Sequence, residues 1–454
     1  KEKARSTNVF ALGLLYWLYE RDIQSSIDFL KNKFKKKPII VDGNVRALKA
    51  GYYYGETIEV IKTTYRIDKA EYESGHYRNI MGNQALSLGL LAASKKNNID
   101  LFYAGYPITP ASDILHYLAS YKSFGIKTFQ AEDEIAGITS AIGAAFAGKL
   151  AVTASSGPGI ALKGEAIGLA TITELPIIII NIQRGGPSTG LPTKTEQSDL
   201  LQAMYGRNGE CPCVVLAASS PSDCFDMAYE AARIALEHMI PVMLLSDGYI
   251  ANGSEPWKFP QVDSLSKFKM NYIDESDNFF PYNRDEKTLA RKWAVPGVKG
   301  LEHRIGGLEK ANMTGNVSYD AENHHDMTHK RQEKVDIISN FIPNAEVYGE
   351  KQGKLLVLGW GGTYGSIRSA VTKAHVQGLS VSQLHLKYIN PFPKNLGELL
   401  LKYDKILIPE LNMGQLLNMI RAKYLVDANG YNSIKGKPFT SNEILIAIKT
   451  HLKD

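Results

Sequence analysis

Residues 150–186 read LAVTASSGPGIALKGEAIGLATITELPIIIINIQRGG, and this stretch decides the fold. Two continuous apolar runs, Leu150–Ser155 and Ile177–Gln183, flank a glycine turn and a helical segment beginning near Ala161. Unbroken Val/Ile/Leu strands joined by helices indicate a parallel sheet covered on both faces, because an antiparallel sheet with one wet face would alternate. Working outward, further strands are expected at Leu101–Gly105, Ile126–Gln130, Val214–Ala218 and Val242–Ser246, with helices starting near Ala111, Asp133, Ser198 and Ser222. The pattern makes residues 81–256 one α/β domain.

Ahead of this domain, residues 1–80 are helical and polar. Val9–Tyr19 is apolar on most sides, Ile23–Phe34 is amphipathic, and Gly51-Tyr52-Tyr53-Tyr54-Gly55 reads as a loop before a polar linker. The chain opens at Lys1 in what reads as the middle of a helical domain, so residues upstream are expected. Behind the α/β domain, residues 257–345 are rich in Asn, Asp, Lys, Gly and Pro. They are too many for a simple loop and predict an extended connection over the surface, ending in a polar helix near Asn323–Ile338. Residues 346–454 form a second, smaller α/β unit. Its strands are expected at Leu355–Leu358, Ser380–His385 and Lys405–Ile408, and its helices at Ser366–His375, Gln415–Tyr424 and Asn442–Leu452.

The bulk numbers exclude several classes. A net charge of +5 over 454 residues does not argue for nucleic acid, and the run Lys31–Lys37 (KNKFKKK) reads as a solvated helix end. Leu175–Ile182 is far short of the ~20 apolar residues that span a bilayer, so no membrane span is expected. The three cysteines, Cys211, Cys213 and Cys224, are too few for a disulfide framework and suit a reducing cytoplasm. They also cannot supply the four thiolates of an iron–sulfur cluster.

Four segments carry the chemistry. Tyr106-Pro107-Ile108-Thr109-Pro110 follows a strand, where ligands of parallel sheets bind, although a plain turn with Ser112 or Asp113 as helix cap would look the same. Gln130-Ala131-Glu132-Asp133-Glu134 leads into IAGITSAIGAAFAG; acids favour a helix start, but the Ala/Gly helix also admits a close neighbour and a poorly solvated carboxylate. Ser155-Ser156-Gly157-Pro158-Gly159 lets a ligand approach backbone N–H groups, and it lacks the Lys-Ser/Thr of a nucleotide P-loop. The long loop 184–200 (RGGPSTGLPTKTEQSDL) begins with Arg184, whose fork of donors suits a substrate carboxylate.

In this order, YPITP, QAEDEIAG, SSGPG and QRGGPSTGLPTKTEQSDL resemble the α subunits of 2-oxoacid:ferredoxin oxidoreductases, and the last segment resembles the 2-oxoglutarate type. The similarity continues through GRNGE (206–210), DGYIANGSEPW (247–257), GLEH (300–303) and PELNMGQL (409–416). Residues 1–80 resemble the end of a γ-type domain fused ahead of this module. The resemblance implies a thiamine-diphosphate enzyme: 81–256 as the pyrimidine-binding domain, then a transketolase-C-terminal-like domain. Glu134 would hydrogen-bond the aminopyrimidine ring, with Glu132 a second choice. Thr109 and Arg184 would hold the 2-oxoacid and its carboxylate. Tyr106, Ile108, Thr109, Glu134, Ser156 and Gly157 would line the cofactor.

The implied reaction is oxidative decarboxylation of 2-oxoglutarate with coenzyme A, electrons passing to ferredoxin, or the reverse carboxylation. Asp247-Gly248 followed by Asn252 departs from the family's metal motif, so no metal ligand is assigned to this chain. Mg²⁺, the [4Fe-4S] cluster and the diphosphate site are then expected on a partner β subunit, in an (αβ)2 assembly. Pyruvate or branched-chain 2-oxoacids are the rival substrates, since their α subunits share YPITP and the glutamate. A non-catalytic nucleotide-binding or scaffold role is the rival from another class. GWGGTYG (359–365) reads better as a tight strand-to-helix turn than as a dinucleotide site. His325 and His329 have ligand spacing, with His324 beside them, but no zinc motif surrounds them.

Overall fold

The computed structural model describes residues 6–58, 63–274 and 279–453. The chain divides into two compact units, Lys1–Gly75 and His76–Asp454; Lys1, where the fused-domain reading starts, lies outside the described residues.

In the first unit the expected loop at Gly51–Gly55 is instead the end of a helix, Pro38–Thr57. A Cβ on Gly51 would lie 1.9 Å from the Phe10 carbonyl oxygen, and one on Gly13 would lie 2.0 Å from that of Leu48. The glycines therefore mark the crossing of Thr7–Leu18 with Pro38–Thr57 rather than a turn. The basic run ends the helix Gln24–Lys33 in solvent, as expected.

The second unit contains a seven-stranded sheet. Its order is Tyr388–Asn390, Val214–Ala217, Pro241–Asp247, Ile177–Gln183, Leu150–Ser155, Leu101–Gly105, Lys127–Gln130. The strands Leu101–Gly105, Leu150–Ser155 and Ile177–Gln183 stand where the sequence puts them. Alternation splits the central strand between two cores: Ile178, Ile180 and Ile182 enter one, Ile177 and Ile179 the other. All the internal pairings are parallel, while the edge strand Tyr388–Asn390 runs antiparallel to Val214–Ala217. That three-residue strand has no periodicity to betray it.

The helix Gly82–Lys96 was also illegible in the sequence. It is buried nearly all round, and a Cβ on its Gly89 would lie 2.3 Å from the Phe225 carbonyl of the helix Asp223–His238. Small residues for close packing replace the apolar stripe there. The three strands and three helices expected behind residue 353 are present. Val347–Tyr348 and Ala428–Asn432 extend the sheet to five strands ordered Val347–Tyr348, Ser382–Leu386, Gly353–Trp360, Tyr403–Glu410, Ala428–Asn432. One face of this sheet shares a core with the larger sheet.

The connection from Phe259 runs mostly over the surface and ends in the polar helix Ala321–Ile337, as its polarity predicts, but it also sends several side chains inward. Tyr282, Arg291, Trp293 and Lys334 are fully buried, and Trp293 stacks on Tyr272 with ring centroids 4.6 Å apart. Its charges turn inward: Arg284 and Lys334, the latter on the helix Ala321–Ile337, both pair with Glu174 below the sheet. Part of the polar composition here thus serves an internal ion network as well as solvent.

Candidate active site

The four segments singled out above follow four contiguous strands of the large sheet: Ile177–Gln183, Leu150–Ser155, Leu101–Gly105 and Lys127–Gln130. Their loops converge at the carboxyl edge, where helix starts and loop amides gather.

The YPITP turn is held from three directions. Arg184 Nη1 donates to the Thr109 carbonyl at 2.6 Å and Asn83 Nδ2 donates to that of Pro110 at 3.0 Å. Ser112 does not cap its helix; its Oγ accepts from the Ile108 N–H at 2.8 Å and so closes the turn itself. Thr109 is exposed at the tip and Ile108 is half-buried against the core. Arg184 is buried, yet its Nε has no hydrogen-bond partner among the described residues.

Glu134 begins the helix Glu134–Phe146, with Asp133 as its cap through a 2.8 Å bond from the Ala136 N–H. Glu134 is half-buried whereas Glu132 is exposed and outside the helix, which separates the two carboxylates that sequence alone left open. Tyr106 and Lys163 face Glu134. Tyr106 Oη lies 3.0 Å from Ser155 Oγ, and burial pushes its pKa up to about 12. A Cβ on Gly159 would lie 2.3 Å from that Tyr106 oxygen, so the SSGPG glycine is required by close approach. Ser156 Oγ is buried without a partner among the described residues, and Gly157 lies against the Asp199 carboxylate.

Lys163 was not singled out in the sequence. It is fully buried beneath the glycine turn, donating to Thr153 Oγ1 at 2.8 Å; burial pushes its pKa down to about 7 against the pull of Glu134. The one charged residue within GIALKGEAIG between Gly159 and Gly164 was the available signal. Asn181 and Gln183, two polar residues in IIIINIQ, were another. Asn181 Nδ2 donates to Asp199 Oδ2 at 3.0 Å and Gln183 Oε1 accepts from the Asp199 N–H at 3.2 Å, returning the long loop to the strand it left.

Burial pushes the Asp199 carboxyl up to about 6, with Glu196 adding to the rise and Asn181 and Arg184 opposing it. An ionised Asp199 shares the field of Arg184, and a neutral one leaves it to an incoming anion. A carboxylate ligand held by Arg184 is therefore expected to bind more tightly as pH falls through about 6. In Asp199→Asn that step should vanish, checked by the pH profile of that ligand's affinity.

The remaining motifs are structural. Asp247 is buried and caps the helix Gly248–Asn252, its Oδ1 accepting from Thr195 Oγ1 at 2.8 Å and from the Tyr249 and Ile250 N–H groups. Asn252 turns back to the Gly248 carbonyl. His324 Nδ1 lies 2.8 Å from Glu309 and His329 Nδ1 lies 2.9 Å from the His325 carbonyl. Among the described residues no His, Cys, Asp or Glu cluster could hold a metal. All three cysteines are free thiols.

A half-buried carboxylate, a buried lysine and a buried arginine are thus gathered at the ligand edge of one α/β sheet. Comparison with known proteins makes this specific. Residues 93–323 match the family described as pyruvate flavodoxin/ferredoxin oxidoreductase, thiamine diphosphate-binding, and residues 353–444 match core domain II of pyruvate:ferredoxin oxidoreductase. The 2-oxoglutarate oxidoreductase subunit KorA of Mycobacterium tuberculosis is 53% identical over 98% of this chain and 68% of its own length. The 2-oxoglutarate synthase subunit KorA of Archaeoglobus fulgidus is 34% identical over 75% of this chain and 90% of its own. The 2-oxoglutarate:ferredoxin oxidoreductase of Magnetococcus marinus, solved with 2-oxoglutarate, coenzyme A and succinyl-CoA bound, superposes with a TM-score of 0.91 at 32% identity, over 99% of this chain and 78% of that one. The chain belongs to the α subunits of the 2-oxoacid:ferredoxin oxidoreductases, in their 2-oxoglutarate branch.

Proposed function

We propose that this subunit forms the pyrimidine and oxoacid side of an active site that decarboxylates 2-oxoglutarate oxidatively, with coenzyme A as acyl acceptor and ferredoxin as electron acceptor. The convergence of Thr109, Glu134, Ser156 and Arg184 behind four adjacent strands supports this reading above any other observation. The residues suit thiamine diphosphate at its pyrimidine end: a carboxylate heads a helix, and the Ser156 hydroxyl and one Arg184 nitrogen are buried unpaired.

Tyr106, Ile108, Ser156 and Gly157 would line the slot for thiamine diphosphate, which when bound would supply a carbon nucleophile for the 2-oxo group. Glu134 would hold a proton at the aminopyrimidine ring. Arg184 clamps the oxoacid carboxylate while Thr109 fixes its carbonyl end. Asp247 is committed to capping a helix, so the residues present do not fit a diphosphate-bound metal. We place Mg²⁺ and the [4Fe-4S] cluster on a β subunit, within an (αβ)2 enzyme of the cytoplasm. Residues 1–80 are assigned to the end of a γ-type domain, 81–256 to the pyrimidine domain, 257–345 to the connection and 346–454 to the C-terminal domain. Among the described residues no helix is long and apolar enough to cross a membrane.

The test is turnover by the complex with its β subunit across 2-oxoglutarate, pyruvate and branched-chain 2-oxoacids. A kcat/KM highest for 2-oxoglutarate is expected. Equal turnover of pyruvate would remove the substrate assignment, and no oxoacid-dependent reduction of ferredoxin would return the scaffold reading.

A further inference from the structure

In the five-stranded sheet the chain passes from Gly353–Trp360 to Ser382–Leu386 on one side, then to Tyr403–Glu410 on the other. The crevice between the ends of Gly353–Trp360 and Tyr403–Glu410 is thus the sheet's topological switch point, the usual ligand position in open α/β sheets. It is filled by Gln197, from the loop that starts at Arg184.

Gln197 is fully buried there, and both polar atoms of its side-chain amide have partners. Its Nε2 donates to the Trp360 carbonyl at 2.8 Å and its Oε1 accepts from the Leu411 N–H at 3.1 Å. Its main-chain N–H donates to the Leu411 carbonyl at 3.1 Å, and its own carbonyl accepts from Asn412 Nδ2 at 2.8 Å. Behind this ring the buried Glu410 accepts from Trp360 Nε1 at 3.1 Å and from the Leu416 N–H at 2.8 Å. Gln415 extends the grip, donating to the Ser198 carbonyl at 2.7 Å.

The glycines of GWGGTYG now have a physical reason. Gly361 has φ +55°, and a Cβ on it would lie 2.6 Å from Gln197 Nε2; one on Gly362 would lie 2.4 Å from Asp247 Oδ2. Asp247 is the residue that receives Thr195 Oγ1, two positions before Gln197. The turn is built bare so that the loop can seat against it.

We infer that Gln197, latched into the ligand crevice of the C-terminal domain, is a positioning residue that sets the loop 185–199 and through it the oxoacid grip of Arg184. The C-terminal domain then acts as a binding domain whose ligand is this chain's own substrate loop. Arg184 Nη1 is tied at one end to the Thr109 carbonyl, and the latch at Gln197 fixes the loop at the other. Releasing the far end would leave the guanidinium on a single tether and loosen its grip on the oxoacid. This rests on the reading that Arg184 binds the oxoacid carboxylate.

The test compares Gln197→Ala, Gly361→Ala and their double variant, each in the complex with the β subunit. Each single change is expected to raise the KM for 2-oxoglutarate about ten- to a hundredfold, more than it lowers kcat, while the coenzyme A KM stays put. Both should speed hydrogen exchange at the amides of residues 185–199. Because the two residues form one contact, the double variant should be no worse than the worse single one. Additive effects, unchanged exchange in 185–199, or a lowered melting point with an unaltered oxoacid KM would overturn the latch. A wild-type complex that turns over no 2-oxoacid would instead overturn the functional reading, and the exchange measurement would still decide whether Gln197 anchors the loop.

Discussion

Replacing Glu174 by Gln is expected to cost the protein about 3–5 kcal/mol of stability, the usual result of removing one side of a buried ion pair. Glu174 is 2% exposed and receives Arg284 and Lys334, while Arg291 binds its carbonyl oxygen through Nε at 3.1 Å. Burial alone would raise its pKa, but Lys334 and Arg284 outweigh that and hold the carboxyl at about 2. Removing the negative charge takes from Arg284 and Lys334 the carboxylate they share, beside a third cation, Arg291, which is held on backbone carbonyls. Lys334→Met should cost less, because Glu174 keeps Arg284.

The sign of the pH dependence follows. A carboxyl depressed in the folded state contributes stability above its unfolded pKa of about 4.3 and loses it as pH falls through the folded value. Wild type should therefore weaken between about pH 4 and pH 2 by more than Glu174→Gln does. Denaturant unfolding of both variants across that window checks the claim. Equal stabilities at pH 7 would mean that the network contributes nothing net.

The strands Leu150–Ser155 and Ile177–Gln183 were legible because their apolar runs are short, continuous and bounded by Gly and Pro. The alternation with helices carried the weaker Leu101–Gly105 and Lys127–Gln130 with them. The helix Gly82–Lys96 and the turn of Pro38–Thr57 at Gly51 were not, because glycine there serves close packing, and a sequence shows glycine without its neighbour. The segments that hold Glu134 and Arg184 could be singled out since each follows a strand, and the family resemblance put Glu134 ahead of Glu132. Lys163 and Gln197 could not: one is buried under the turn it supports, the other bonds to Leu411, distant in sequence. Polar residues in apolar strands, such as Asn181 and Gln183, were the underused signal, because burying them demands partners.

Glu134→Gln should lower oxoacid turnover by about 10²–10⁴-fold, the range of a lost acid–base group, with the fold intact. The carboxylate stands at the start of a helix, where the dipole favours its charge, and Lys163 and Tyr106 face it from the glycine turn and the YPITP turn. A carboxamide has the same shape, so the slot survives, but it cannot hold an exchangeable acid proton for the aminopyrimidine ring. The asymmetry between neighbours is the sharper test. Glu132 is exposed and outside the helix, so Glu132→Gln should leave turnover near the wild-type rate. Binding of thiamine diphosphate to the complex, measured by titration calorimetry, should weaken in Glu134→Gln far less than kcat falls. Equal activity in both variants would end the assignment of Glu134 as the proton-holding group. A large loss in Glu132→Gln alone would move that role two residues upstream.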